Sequence, residues 1–234
     1  MNRYSCLQAF NTIPTIRQPL TFGDRSNGTF NVQLPRRFSG PDATCVIDIF
    51  HKDGVISDIA SYQQISRAAE SLYGVCVVRG GTRTQGGWIR DIGRQKNLVI
   101  VLSLYEPSVA CFGQQFAMRD PAQISQKLLS IIPVNTERQI FGPEGESGVQ
   151  VEVPVTYNWP PGPSRWAIGA SLKVDVEHRN RVDARWFDVW AGAVAVTAIC
   201  TLRGYAGISG LPSGLRVTLK AAPGPRVQNE TDTS

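Results

Sequence analysis

Two histidines, five cysteines and a scatter of carboxylates are the side chains with chemistry to offer in this 234-residue sequence. A Ser-His or Cys-His nucleophile system would need one of the two histidines, His51 or His178. His51 stands beside Lys52-Asp53-Gly54, and His178 lies within Glu177-His-Arg-Asn-Arg181. Both are polar turns at about the same place in each half, so both read as solvated loop residues and not as paired sites. No His-x-x-His or Cys-x-x-Cys spacing occurs, so no metal site is assigned, and no cofactor is implied. Paired carboxylates support glycoside hydrolysis, and Asp53, Asp58, Asp175, Glu177, Asp183 and Asp188 are the candidates. Of these, Asp58 and Asp183 are placed to cap helix starts, and the others fit a solvated face. The run Gly80-Gly-Thr-Arg-Thr-Gln-Gly-Gly87 lacks the Lys-Ser/Thr ending of a phosphate loop and reads as a hairpin turn. No catalytic residue is assigned.

Aromatic and cationic residues offer binding instead. Trp159, Trp166, Trp186 and Trp190 concentrate in the second half, with Trp88 in the first. Trp190 falls on an apolar helix face and reads as core. Trp159 and Trp166 flank Pro160-Pro-Gly-Pro163, and Arg165 lies beside them. These three are the candidate binding residues, for a glycan or a protein partner. The net charge of +5 comes from 24 Lys and Arg against 19 Asp and Glu, with no basic run. That spread argues against a nucleic-acid footprint. No stretch of about 20 apolar residues suggests a membrane span. The longest apolar run, Val189 to Leu202, reads as a buried helix entering a strand.

The sequence reads as a tandem duplication with an offset of about 119. Cys6 to Pro14 and Ser125 to Pro133 are short helical segments ending at proline. Phe22-Gly23 matches Phe141-Gly142, and Val32-Gln-Leu-Pro35 matches Val151-Glu-Val-Pro154. The copies then drift but keep order: a strand at Cys45–Phe50 or Ala167–Val176, a helix after Asp58 or Asp183, a strand holding Cys76 or Cys200, a Gly-rich turn, and a closing strand. The expected fold is α+β. Each unit is helix-strand-strand-helix-strand-strand, a small antiparallel sheet covered by two helices in a two-layer sandwich. Expected boundaries are 1–110 and 120–222, with a linker near 108–120 and a disordered polar tail over 223–234.

This layout ranks the cysteine pairings. Four cysteines lie in the first half, and four pair in three ways. Adjacent strands favour Cys45–Cys76, and Cys6–Cys111 would fasten the unit's ends, leaving Cys200 as an unpaired relic. Reduced thiols packed as small hydrophobes are the alternative. Asn27-Gly-Thr and Asn229-Glu-Thr are sequons, with Asn27 the expected glycosylation site. The start, Met-Asn-Arg-Tyr-Ser-Cys, shows no apolar leader, so either the protein is cytoplasmic or a leader was removed and Met1 is not the natural start; the cysteine usage favours the second.

The residues Cys45, Ile47, Ile49, Ile65, Ala68, Ala69, Cys76, Val77, Gly86 and Gly87 carry a resemblance. Their pattern resembles a group of uncharacterised secreted proteins of filamentous ascomycete fungi, over most of the first copy and part of the second. The two-helix, four-strand layout also looks like the killer-toxin-like sandwich of small fungal secreted proteins and effectors. The resemblance implies an extracellular, non-enzymatic, effector-like protein that binds a protein or glycan partner. A carboxylate-based hydrolase and an intracellular interaction protein are the alternatives.

Overall fold

The structure is a computed structural model that describes residues 3–52, 54–79, 86–113, 121–159, 169–177 and 180–222. The chain divides into two compact units, Met1–Ser108 and Val109–Ser234.

In the first unit, helix α1 (Arg3–Asn11) leads to strand β1 (Leu20–Asp24), a 3₁₀ turn at Arg25–Asn27, and β2 (Val32–Leu34). Then come β3 (Arg36–Ser39), β4 (Cys45–His51), β5 (Ser57–Ala60) and α2 (Tyr62–Leu72). A π-helical turn (Tyr73–Val78), β6 (Gly87–Ile92) and β7 (Leu98–Leu104) complete it. Strands β3-β4-β7-β6 form an antiparallel sheet, and β2-β1-β5 form a small side sheet in which β1 and β2 run parallel.

Strand β8 (Ser108–Phe112) lies almost wholly in the second unit. It is followed by α3 (Pro121–Ile131), β9 (Arg138–Pro143), β10 (Val151–Val153) and β11 (Val155–Trp159). Then come β12 (Gly169–Val176), β13 (Val182–Arg185), α4 (Trp186–Ile199), a 3₁₀ turn at Thr201–Arg203, β14 (Ala206–Gly210) and β15 (Leu215–Ala222). The main sheet has the order β11-β12-β15-β14-β8, and the side sheet β10-β9-β13.

Among the described residues there are four α-helices and fifteen strands in four sheets. This overturns the expected helix-strand-strand-helix-strand-strand sandwich. Five strands, not two, separate the helices of each unit. Proline is the local reason: Pro35 and Pro154 have no N–H to donate, so each ends one short strand, and the next pairs in a different sheet.

The duplication is written into the pairing register. Phe22, Gly23 and Asp24 oppose Val32, Gln33 and Leu34, while Phe141, Gly142 and Pro143 oppose Val151, Glu152 and Val153. Both Leu34–Pro35 and Val153–Pro154 are cis peptides. An aromatic trio recurs as well. Tyr62 meets Phe22 and Phe38 edge-on at 5.4 and 6.1 Å, and Trp186 meets Phe141 and Tyr157 at 5.1 and 6.2 Å. Edge-to-face contacts of this kind add about 0.5–1.5 kcal/mol each beyond area burial. A Cβ on Gly142 would stand 2.6 Å from Val149 Cγ2, and one on Gly23 would overlap the Phe30 ring, so each small strand needs a glycine there.

One helix layer covers one face of each main sheet. In the first unit Cys6, Ala9 and Ile13 of the α1 segment and Ile65, Ala69 and Leu72 of α2 bury against Ile47, Ile49, Ile100 and Leu102. Helix α2 starts at Ser61, whose hydroxyl accepts from Gln64 N at 3.2 Å while Gln64 Oε1 accepts from Ser61 N at 2.9 Å. Helix α4 is apolar all round. The window Trp186–Arg203 is long and apolar enough to cross a membrane, but 61% of it is buried, as in the core helix of a folded domain.

The bridges differ from the expected pairs. Cys6 is bonded to Cys45, and Cys111 to Cys200, while Cys76 is free. Cys45–Cys76 fails because β7 lies between β4 and β6, so the strand carrying Cys45 is not next to the edge beside Cys76. Cys76 is not on a strand at all but in the π-helical turn after α2. Cys6–Cys111 fails because β8 joins the second sheet, beside β14. Cys200 is therefore no relic, and each unit holds one bridge. The segment expected as a linker, 108–120, is partly this strand. The tail over 223–234 lies outside the described residues.

Candidate functional site

Among the described residues, no helix of the second unit covers the face of its main sheet opposite α3 and α4. Alternation along its strands is clean: Leu172, Val174, Leu215, Val217 and Leu219 are buried, while Lys173, Arg216, Thr218 and Lys220 point the other way. Cross-strand pairing assembles these into rows. Thr156 opposes Lys173, Lys173 opposes Thr218, and Thr218 opposes Ile208. On one side of that row Asn158, Ser171 and Lys220 line up, and on the other Asp175 and Arg216. The rows enclose an open groove of about 350 Å³.

Three cations and one carboxylate dominate it. Lys173 Nζ lies 2.7 Å from Asp175 Oδ2, a half-exposed pair. Arg216 Nη2 donates to Glu177 O at 3.1 Å, which holds the guanidinium along the end of the groove. Lys220 Nζ stands 5.9 Å from the Phe112 ring centre, at the β8 edge. Hydroxyls of Thr156, Ser171 and Thr218 fill the spaces between charges. Such a face offers charge-assisted donors, neutral hydroxyls and a carboxylate acceptor on a rigid platform.

The first unit uses the corresponding face differently. Arg37 opposes Asp48, Asp48 opposes Val101, and Val101 opposes Trp88. Arg37 and Asp48 form a bidentate ion pair at 2.7 and 2.8 Å, both side chains 5% exposed, with the Tyr105 ring 5.0 Å from the guanidinium carbon. Trp88 is 58% exposed and stacks with Arg90 at 4.2 Å. Apolar residues and one buried pair stand where the second unit has the row Thr156, Lys173, Thr218 and Ile208.

The residues singled out from the sequence separate. Trp159 ends β11, half-buried on the helix side, with Lys127 Nζ of α3 6.0 Å from its ring. It is not on the groove face. Trp166, Arg165, His178 and Asp53 lie outside the described residues. Trp190 is core, at 3% exposure. Asn27 is exposed at the end of its 3₁₀ turn.

Asp58, Asp183 and Asp188 are engaged within the fold. Asp58 is not a helix cap: it lies in β5, 2% exposed, and its carboxylate accepts from Ile59 N, Gln95 N and Asn97 N at 2.6, 2.9 and 2.8 Å. Asp183 lies in β13 and pairs with Arg138 at 3.2 Å, and Arg185 occupies the N-cap of α4. Asp188 binds Arg185 through two hydrogen bonds, and these raise the Arg185 pKa. Among the described residues, no three or more His, Cys, Asp or Glu side chains gather as a metal-holding group. His51 is not a solvated turn residue. It ends β4 and its Nε2 lies 3.1 Å from Phe22 O, while burial pushes its pKa below 6.5.

The groove was missed although half its signal is in the sequence. Lys173-x-Asp175 and Arg216-x-Thr218-x-Lys220 are polar sets at period two, each legible as one face of a strand. Which strands lie side by side is set by the topology.

No protein-family model matches the chain, and no curated protein matches it. Among solved structures the chain is similar to the tandem DUF26 ectodomain of the Arabidopsis thaliana cysteine-rich receptor-like protein PDLP5. That likeness covers 93% of this chain and 88% of the other, at 8% identity and a TM-score of 0.26. At that TM-score it carries no argument.

Proposed function

We propose that this chain is an extracellular, non-enzymatic binding protein whose second unit recognises an acidic oligosaccharide. The observation that carries the ligand class is the cluster of Lys173, Arg216 and Lys220 interleaved with threonine and serine hydroxyls on the sheet face opposite α3 and α4. The cations suit carboxylates of the ligand. Asp175 and the hydroxyls accept from sugar hydroxyls, which a bare phosphate chain does not offer. Phe112 at the rim provides an apolar surface for a sugar face. Two disulfides support an oxidising compartment. Under this reading exposed Asn27 is a glycan acceptor. Fungal origin and an effector-like role rest on the sequence resemblance alone.

The test is calorimetric titration with an oligogalacturonate of defined length. Lys173→Ala combined with Lys220→Ala is expected to weaken binding by about tenfold or more, given about 1.5–3 kcal/mol for a charged hydrogen bond. Raising salt weakens the wild type as well. Unchanged binding by the double variant, or no heat at millimolar ligand, sinks the proposal.

A further inference from the structure

The two units end their main sheets differently. In the second, β8 closes the edge beside β14, and its Cys111 is bonded to Cys200 at the end of α4. Gly207 of β14 makes room for that bridge: a Cβ there would stand 2.8 Å from Cys200 Sγ and 2.8 Å from Val196 Cγ1. The first unit repeats this arrangement without the fifth strand. A Cβ on Gly87 of β6 would stand 2.6 Å from Cys76 Sγ and 3.2 Å from Leu72 Cδ2. Gly87 opposes Leu102 as Gly207 opposes Leu219, and Leu72 and Cys76 each lie 124 positions before Val196 and Cys200. Cys76 therefore holds the place of Cys200.

What β8 supplies is missing there. Among the described residues β6 is the terminal strand of its sheet, and Cys76 is a half-buried free thiol. Around it Val75, Val78 and Trp88 are 60%, 46% and 58% exposed. A terminal strand presents unpaired N–H and C=O groups, the usual template for an added strand.

We infer that the β6 edge is a docking site for an extended polypeptide segment that brings its own cysteine to Cys76, as β8 brings Cys111 to Cys200. The occupant is a different protein. If a second copy paired through β6, its Gly87 would take the place of Cys111. The copy's β6 then carries no cysteine on the paired strand, whereas β8 carries Cys111 on the strand itself; the copy's free Cys76 lies in the turn after α2. The other four cysteines of the chain are already bridged. The covalent step is thiol–disulfide exchange. The Cys76 thiolate attacks the partner cysteine's sulfur within a disulfide. A new S–S bond forms, the old one breaks, and the displaced thiolate leaves with the electron pair, so no further oxidant is consumed. This inference is independent of the glycan reading.

The probe is a synthetic peptide with the sequence of Glu106–Gly113, its cysteine held as a mixed disulfide with glutathione. It is added to the full chain with both bridges intact. One peptide per chain is expected, mapped to Cys76 by mass spectrometry, with release of one reduced glutathione. The rate is expected to exceed that of a scrambled peptide with proline on both sides of its cysteine by about tenfold, because strand pairing raises the local concentration of the disulfide. Amide exchange at residues 87–89 slows in the adduct. In Cys76→Ser the covalent product is lost, while excess peptide still protects the β6 amides. Equal rates for the two peptides, adduct without β6 protection, or no adduct each overturn the inference.

Discussion

Ser125 and Ala170 stand in the second unit where Cys6 and Cys45 stand in the first. Ser125 lies 119 positions after Cys6, and Ala170 follows from strand pairing, since Leu172 opposes Tyr157 as Ile47 opposes Phe38. Both are buried, at 1% and 0% exposure, and Ser125 Oγ has no hydrogen-bond partner. The second unit has two small buried residues where the first has a bridge. The double variant Ser125→Cys, Ala170→Cys is expected to form a third bridge and to add about 2–4 kcal/mol under oxidising conditions. Urea unfolding with and without reductant reads this directly. Two free engineered thiols in the folded protein would refute the equivalence of the two sites.

The Arg37–Asp48 pair sits on a face that its counterpart leaves open to water. With both side chains at 5% exposure, loss of either partner strands a buried charge. Asp48→Ala is expected to destabilise the first unit by about 3–5 kcal/mol. A volume-matched apolar replacement of both residues is expected to cost far less, since the desolvation penalty goes with the charges. Denaturant midpoints for the single and double variants separate these outcomes. A single variant as stable as wild type would show that the pair is solvated in solution.

The repeat was legible because the features that fix it are local. Phe22-Gly23 and Phe141-Gly142 are contiguous, and Pro35 and Pro154 end strands through their own chemistry. The bridges were not legible because they depend on which strands lie side by side. Placing β7 between β4 and β6, and β8 against β14, changes every pairing while leaving the local patterns intact. Asp58 misled for a related reason. A carboxylate directly ahead of Ile59, Tyr62 and Ile65 at helical spacing fits a cap, but the helix starts at Tyr62 with Ser61 and Gln64 in that role, and Asp58 serves a loop more than thirty residues ahead. The groove lay between these cases, with each polar row readable along its strand and the neighbours across it set by topology.

Asp58 also carries a prediction. Its two oxygens accept three backbone N–H groups and tie the loop at 93–97 to β5. Gly93, at φ +93°, passes so close that a Cβ would stand 2.5 Å from Asp58 Oδ2. Asp58→Ala leaves those donors unsatisfied, at about 1–3 kcal/mol for each one that stays buried. Hydrogen exchange at Gln95 and Asn97 is expected to accelerate at least as much as global unfolding does. Gly93→Ala is expected to loosen the same amides through backbone strain and the clash with the carboxylate. Unchanged exchange at Gln95 and Asn97 in Asp58→Ala would rule out the tether.

His51 makes the first unit sensitive to mild acid. Its Nε2 lies 3.1 Å from Phe22 O, and a carbonyl only accepts, so Nε2 carries the proton and donates. Burial pushes the pKa below 6.5, against the opposing pull of that hydrogen bond and of Asp24 and Asp58. A histidine with a lowered folded pKa binds its second proton more readily in the unfolded chain. Its stabilising contribution is therefore complete above pH 6.5 and is lost as pH falls through the lower folded value. The carboxylates with the same direction of shift, Asp42 and Asp91, titrate from 3.8 downward, so they leave the interval just below 6.5 to His51. The chain has two histidines, which makes the assignment tractable. Wild-type stability is expected to fall between pH 6.5 and 5, and His51→Gln is expected to flatten that slope while His178→Gln leaves it in place. A stability profile that keeps its slope in His51→Gln would move the titration to another group.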